Sequence, residues 1–174
     1  MKLSINKWCA LGFLFTVGVG TLLHFAYEWS DKMALVGIFS NVNESTWEHM
    51  KLLFYPAFIF AVIQSFFFKE RKDFWYIKLK GTIFGLVLIP VVFYLFNGII
   101  GKSNDVINIM IFVISVLATY MYEARLFKEE SPIYMINRNG LIAFLVVAIL
   151  FAIFTFITPE LGIFLDSTTN TYGR

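Results

Sequence analysis

Five predominantly apolar runs, Trp8 to Tyr27, Lys51 to Phe68, Ile77 to Ile100, Val106 to Phe127 and Leu141 to Thr158, occupy most of this chain. Each is long enough to cross a hydrocarbon layer about 30 Å thick, which takes about 20 helical residues. None alternates apolar and polar residues over about ten positions, as a membrane-barrel strand does. In lipid every backbone donor and acceptor must be satisfied within its own segment, so the runs predict an all-α polytopic membrane bundle of about five transmembrane helices. With 174 residues, 59% of them hydrophobic and 21 of them Phe, the chain is predicted to form one integral membrane domain, residues 1–174, with no large domain outside the bilayer. A net charge of +2 gives no reason to expect a nucleic-acid partner. The single cysteine, Cys9, excludes an intramolecular disulfide and a cysteine-based metal cluster.

The first run is read as an uncleaved helix, because it is too long for a signal sequence and ends in His24, Phe25, Ala26, Tyr27, Glu28 and Trp29 rather than in small residues. The basic residues set its expected direction. Ten of the 14 Lys and Arg fall in the amino-terminal segment (Lys2, Lys7), the second loop (Lys69, Arg71, Lys72, Lys78, Lys80) and the fourth (Arg125, Lys128, Arg138). Four fall on the other side, at Lys32, Lys51, Lys102 and Arg174. The positive-inside rule then places the amino terminus in the cytoplasm and the carboxyl terminus outside a cell membrane.

Polar residues gather at the outer end. Gly12, Thr16, Gly20, His24 and Glu28 are spaced four apart, so they form one stripe on the first helix that should face protein. A second helix starting near Asn43 would turn Glu44 and Glu48 to within about 40° of each other, with His49 about 140° from Glu44. Two imidazoles and three carboxylates would then meet at one membrane depth. His24, His49 and Glu28 are suitable ligands for zinc or another divalent metal, with a position left for water, and Glu44 or Glu48 would serve as general base. A competing reading makes Ser45 and Glu48 a capping box, with Glu44 ahead of the helix; both stay open at this point. Ser45 and His49 as nucleophile and base lack an elbow or an oxyanion donor. Asn97, Asn104, Asp105, Asn108, Asp166 and Tyr172 also lie at the outer end, with capping expected for Asn104 or Asp105 and plain solvation for Asp166. Ser115, Thr119 and Glu123 form a weaker polar row on the fourth helix, expected to bridge helices, with Arg125 as partner. Pro56 and Pro90 should bend their helices. The fifth helix, the least polar, should face lipid.

The run V-G-I-F-S-N-V-N-E-S-T-W-E-H-M-K from Val36 to Lys51, with the tail residues Asp166, Thr169, Tyr172 and Gly173 and the surroundings of His24, resembles a family of small integral membrane proteins of Gram-positive bacteria without an assigned activity. The resemblance implies membrane location and architecture only, and it transfers no catalytic residue. The residues themselves point to a metal-dependent hydrolase that modifies a lipid or another envelope substrate. The alternatives are a small transporter or ion-conducting protein, with His24 as a titrating gate, and a noncatalytic accessory or sensor subunit. Five spans do not divide into two equal inverted repeats, which weighs against transport.

Overall fold

The computed structural model describes residues 4–101, 104–129 and 137–173. In chain order its helices are α1 (Ile5–Trp29), the one-turn α2 (Ala34–Gly37), α3 (Thr46–Ser65), α4 (Phe74–Ile99), α5 (Asp105–Leu126) and α6 (Asn137–Phe156), followed by a 3-10 turn at Gly162–Phe164. Each of α1, α3 and α5 opens on a polar cap. The side chains of Ser4, Ser45 and Asn104 accept from the amides of Lys7, Glu48 and Ile107, satisfying donors that the first turn leaves unpaired.

Four helices, α1, α4, α5 and α6, are long and apolar enough to cross a membrane. The fifth long helix, α3, is less apolar because it carries Glu48, His49, Lys51 and Gln64, and its position explains how it tolerates them. It is the axis of the bundle: 13 of its 20 residues are buried, with Leu53, Phe54 and Ala57 fully covered. Its neighbours turn apolar side chains outward instead, among them Leu14, Leu22, Val87, Leu95, Ile109, Met121 and Ile149. A soluble protein would place such residues inside. Helix α6 presents both kinds of face: Ile142, Leu145, Val146 and Ile149 point away from the bundle, while Phe144, Phe151 and Thr155 are buried in it.

The stripe on α1 faces protein along most of its length. A Cβ on Gly12 would lie 2.3 Å from the ring of Tyr120, so only glycine lets α5 come this close. One turn on, Thr16 Oγ1 and the Tyr120 hydroxyl share a hydrogen bond of 2.7 Å. A Cβ on Gly20 would lie 2.5 Å from the carbonyl oxygen of Leu52. That carbonyl is the one to which Pro56, four residues later and lacking an N–H, cannot donate. The proline inside α3 and the glycine on α1 therefore mark one close helix crossing, and the next turn of α1 carries His24 to the start of α3.

Two lysines counted as loop charges lie elsewhere. Lys78 is inside α4, wholly buried and ion-paired with Glu123 of α5, with its ammonium 4.9 Å from the centre of the Tyr120 ring. Glu123 thus pairs with Lys78, while Arg125 bonds Glu129 at 3.0 Å. Lys51 lies inside α3, also fully buried. Setting these two buried lysines aside leaves the asymmetry, counted over loops and helix ends together, at nine basic residues against three.

Candidate metal centre

Helix α3 begins at Thr46, three residues later than a start near Asn43, because Ser45 takes the N-cap. Its side chain accepts from the Glu48 amide at 3.4 Å, but the Glu48 carboxylate does not bond back to Ser45. It accepts instead from the amide of Val42 at 2.9 Å, and the Ser45 amide donates to Asn43 Oδ1 at 2.9 Å. The capping box is therefore half formed. Glu44 belongs to the loop, where the helical wheel does not apply.

The loop still brings Glu44 to His49. Glu44 Oε2 lies 3.3 Å from His49 Nε2, and the rings of His49 and His24 are 5.5 Å apart between centres. One ligand atom from each of His24, Glu44 and His49 lies within 4.8 Å of the other two. Ligands on one tetrahedral zinc stand about 3.3 Å apart, given metal–nitrogen bonds of about 2.0–2.1 Å. The Glu44–His49 spacing of 3.3 Å already meets that value, and His24 has to close by up to about 1.5 Å.

The other nitrogen of His49 is fixed. Nδ1 lies 2.9 Å from the carbonyl oxygen of Ser45; a carbonyl only accepts, so Nδ1 carries the proton. Such a bond orients the ring and leaves Nε2 as the nitrogen open to a metal, an arrangement usual for the outer support of a histidine ligand. Without a metal the same geometry suits an imidazolium, with Nε2–H donating to Glu44. This hydrogen bond holds the Glu44 carboxyl below its ordinary range. A metal ion bound at Nε2 would have to take the place of this proton.

Asp166 anchors the arrangement from the tail. Plain solvation does not describe it: the residue is 5% exposed. Its Oδ2 accepts from the Glu44 amide at 3.2 Å, and its Oδ1 accepts from the Thr168 amide and hydroxyl, both at 2.7 Å, and from the Thr169 amide at 3.2 Å. Burial opposes ionisation of Asp166, but these hydrogen bonds outweigh it and hold its carboxyl below the ordinary value. Asn43 Nδ2 ties the same loop to the carbonyl of Gly173 at 2.8 Å. The signal was present in the sequence, since Asp-Ser-Thr-Thr suits a carboxylate that bonds amides two and three residues ahead.

Two other expected members stand apart. Glu28, at the exposed end of α1, lies 3.6 Å from Lys32. Glu48 is on the opposite side of the cap, 2% exposed, 2.5 Å from Lys51 Nζ and accepting from Thr155 Oγ1 of α6 at 3.1 Å. Lys51 also donates to the carbonyl of Gly37 and to Thr155 Oγ1. These bonds make Glu48 the counter-ion of a buried lysine that ties α3 to α6 and to the end of α2.

A cavity of about 30 Å³ adjoins the cluster, lined by Glu44, Thr46 and His49 on one side and by Ile89, Phe93, Asn108 and Phe112 on the other. That is room for about one water molecule. Asn108 Oδ1, on the first turn of α5, is buried there without a partner among the described residues, so it is placed to accept a hydrogen bond from whatever enters. Asn104 caps α5, leaving Asn108 as the residue of that pair available to the cavity.

No curated protein and no solved structure is significantly similar to this chain. One family model matches it, over residues 1–174. The chain with this His24, Glu44 and His49 cluster at one end of an all-helical, membrane-type bundle belongs to the family of unknown function DUF6512.

Proposed function

We propose that this is a five-crossing membrane protein that binds one divalent transition-metal ion, most simply zinc, through His24, Glu44 and His49 on the outer side of the cell membrane, and that hydrolyses a lipid or another envelope substrate with it. The observation that carries this reading is the convergence of three ligand atoms within 4.8 Å, one of them on a ring whose second nitrogen is held by a backbone carbonyl. Two imidazoles and one carboxylate form a ligand set that leaves a fourth position open. Zinc held by these three residues would supply the chemistry of lowering the pKa of a water at the open position to about 7, which would make hydrolysis feasible at neutral pH. Asn108 Oδ1 lies where it would orient that water, whereas Glu48, held by Lys51 and Thr155, is removed from the role of base. The nine-to-three distribution of lysines and arginines over loops and helix ends supports the outward orientation of the cluster, and the shielding of α3 by its neighbours supports its crossing with them.

One observation favours a second reading. A cavity of about 30 Å³ admits water or an ion but no substrate, which suits a noncatalytic sensor or accessory subunit whose outer face changes with metal occupancy. Turnover separates the two. Protein in proteoliposomes would be assayed against phosphodiester and carboxylic-ester lipids before and after chelation and zinc return. The hydrolase reading expects chelator-sensitive turnover that zinc restores and His49→Ala abolishes. Metal binding without turnover on either lipid class would sink it and leave the sensor reading.

A further inference from the structure

Away from the histidines, at the end of the bundle where α1 begins and α5 finishes, lies a groove of about 600 Å³ between those two helices. The helices are antiparallel, since Gly12 of α1 meets Tyr120 of α5 and Gly20 meets Phe112. The groove therefore follows their shared direction, and its lining changes along it. The deep part is apolar, formed by Ala10 and Phe13 of α1 and Leu117, Met121 and Ala124 of α5. The mouth, at the helix ends, is lined by Asn6, Arg125, Lys128 and Glu129. From Leu117 to Arg125 is eight residues, about 12 Å along the helix.

Both helices are apolar enough to cross a membrane, and Leu117 and Met121 are 43% and 65% exposed, so the groove opens toward hydrocarbon and not toward water. Its size lies within the range of about 300–1,000 Å³ usual for small-molecule sites. At the mouth Arg125 is paired with Glu129 at 3.0 Å, while among the described residues Lys128 has no ion-pair partner. The mouth thus carries one uncompensated positive charge at the depth where lipid head groups begin. An occupant must be apolar over the stretch toward the bilayer centre and anionic at the helix ends.

We propose that the α1/α5 groove binds one anionic phospholipid, with an acyl chain along Phe13, Leu117 and Met121 and its phosphate at Lys128. The site is independent of the candidate metal centre, which lies at the other end of α1 and is built from His24, the loop residue Glu44 and His49 of α3. A zwitterionic phospholipid shares the chain but brings its own cation to the lysine, so head-group preference is the property that marks the site.

Native mass spectrometry of the full chain, released from mild detergent after incubation with equal amounts of phosphatidylglycerol and phosphatidylcholine, tests this. The wild type is expected to retain one phosphatidylglycerol with a preference of about fivefold, the effect of roughly one cationic side chain on an anionic head group. Ala10→Trp, a change at an exposed wall position that fills the groove, should lose the retained lipid while eluting as the wild type does. Lys128→Glu should keep a lipid but lose the preference. The proposal is overturned if the wild type retains no phosphatidylglycerol, if it holds both lipids equally, or if either variant behaves as the wild type. A wild-type dimer that Ala10→Trp dissociates would overturn it too, by giving the groove to a second copy of the chain.

Discussion

At the amino-terminal end of the bundle Lys78 and Glu123 face each other with both side chains wholly buried, whereas at the histidine-bearing end Glu44 keeps 45% of its side chain exposed beside His49. Lys78 and Glu123 are a pair of opposite charge, and Glu44 and His49 are one when the imidazole is protonated; the two differ in what can replace a partner. Lys78 is closed in by the rings of Phe60 and Tyr120, and its charge can leave only at the cost of exposing Glu123 to an apolar surrounding. When His49 is protonated the positive charge is a proton on Nε2, whose place a metal ion would take if it bound there with His24 as a third donor. The Glu48–Lys51 pair, one turn from the site, is of the first kind. Position near the ligands does not make a carboxylate catalytic; its access does.

The largest effect should come from breaking the closed pair. Lys78→Met leaves an uncompensated buried carboxylate and is expected to cost about 3–5 kcal/mol, whereas Lys78→Met combined with Glu123→Leu should recover most of that. Melting in detergent, followed by size-exclusion chromatography, reads both, and the double variant should still load metal. A single variant as stable as the double would show that the pair is not sealed as described.

Next comes the tail. Asp166 touches the site through the Glu44 amide, so Asp166→Ala should weaken metal affinity about 10–100-fold, the usual effect of removing an outer support of a ligand. Ser167→Ala, one position on, is the control. An unchanged affinity in a stable Asp166→Ala protein would reduce Asp166 to a tie for the tail alone.

Ser45→Ala separates cap from site on a smaller scale. It should cost about 0.5–2 kcal/mol of stability without loss of metal, because His49 is held by the Ser45 carbonyl, which alanine keeps. A loss of metal in a protein that still folds would mean that the hydroxyl, not the carbonyl, supports the ligand.

The weakest effect concerns acid. Glu44 and Asp166 both ionise below their ordinary values in the folded chain, so their contribution is fully present above the unfolded carboxylate range and is lost as pH falls through the lower folded values. Protection of the Glu44 and Thr168 amides against hydrogen exchange, corrected for the intrinsic pH dependence of exchange, should fall below about pH 4. Constant protection through and below that pH would show that the tail is held without these charges.

How far the sequence foretold this division depends on the kind of signal. The long apolar runs and the four-residue spacing of Gly12, Thr16 and Gly20 are properties of one segment each, and both carry through to the structure. The pairing of Lys78 with Glu123 joins residues 45 positions apart, and Lys78 reads as a loop charge because it stands beside Lys80 and a cluster of other basic residues. Glu48 reads as a site residue by its wheel position within about 40° of Glu44, but the wheel ignores Lys51 one turn on and Thr155 on another helix. Pro56 signals a weak point in α3; nothing local shows that Gly20 is the residue that uses it. Asp166 lies 122 positions from Glu44, and only the folding of the tail over the bundle's end makes it part of the site.

The distinction between a sealed pair and an exchangeable one is tested most directly by metal content. Protein purified without chelator and exposed to zinc, then washed free of loose ions, would be analysed by mass spectrometry for metal per chain, beside His24→Ala and His49→Ala proteins that elute as the wild type does. The account predicts about one ion per chain in the wild type, as set by a single three-ligand site, and little or none in either variant. A wild type that holds no metal under these conditions, or variants that hold as much as the wild type, would contradict it.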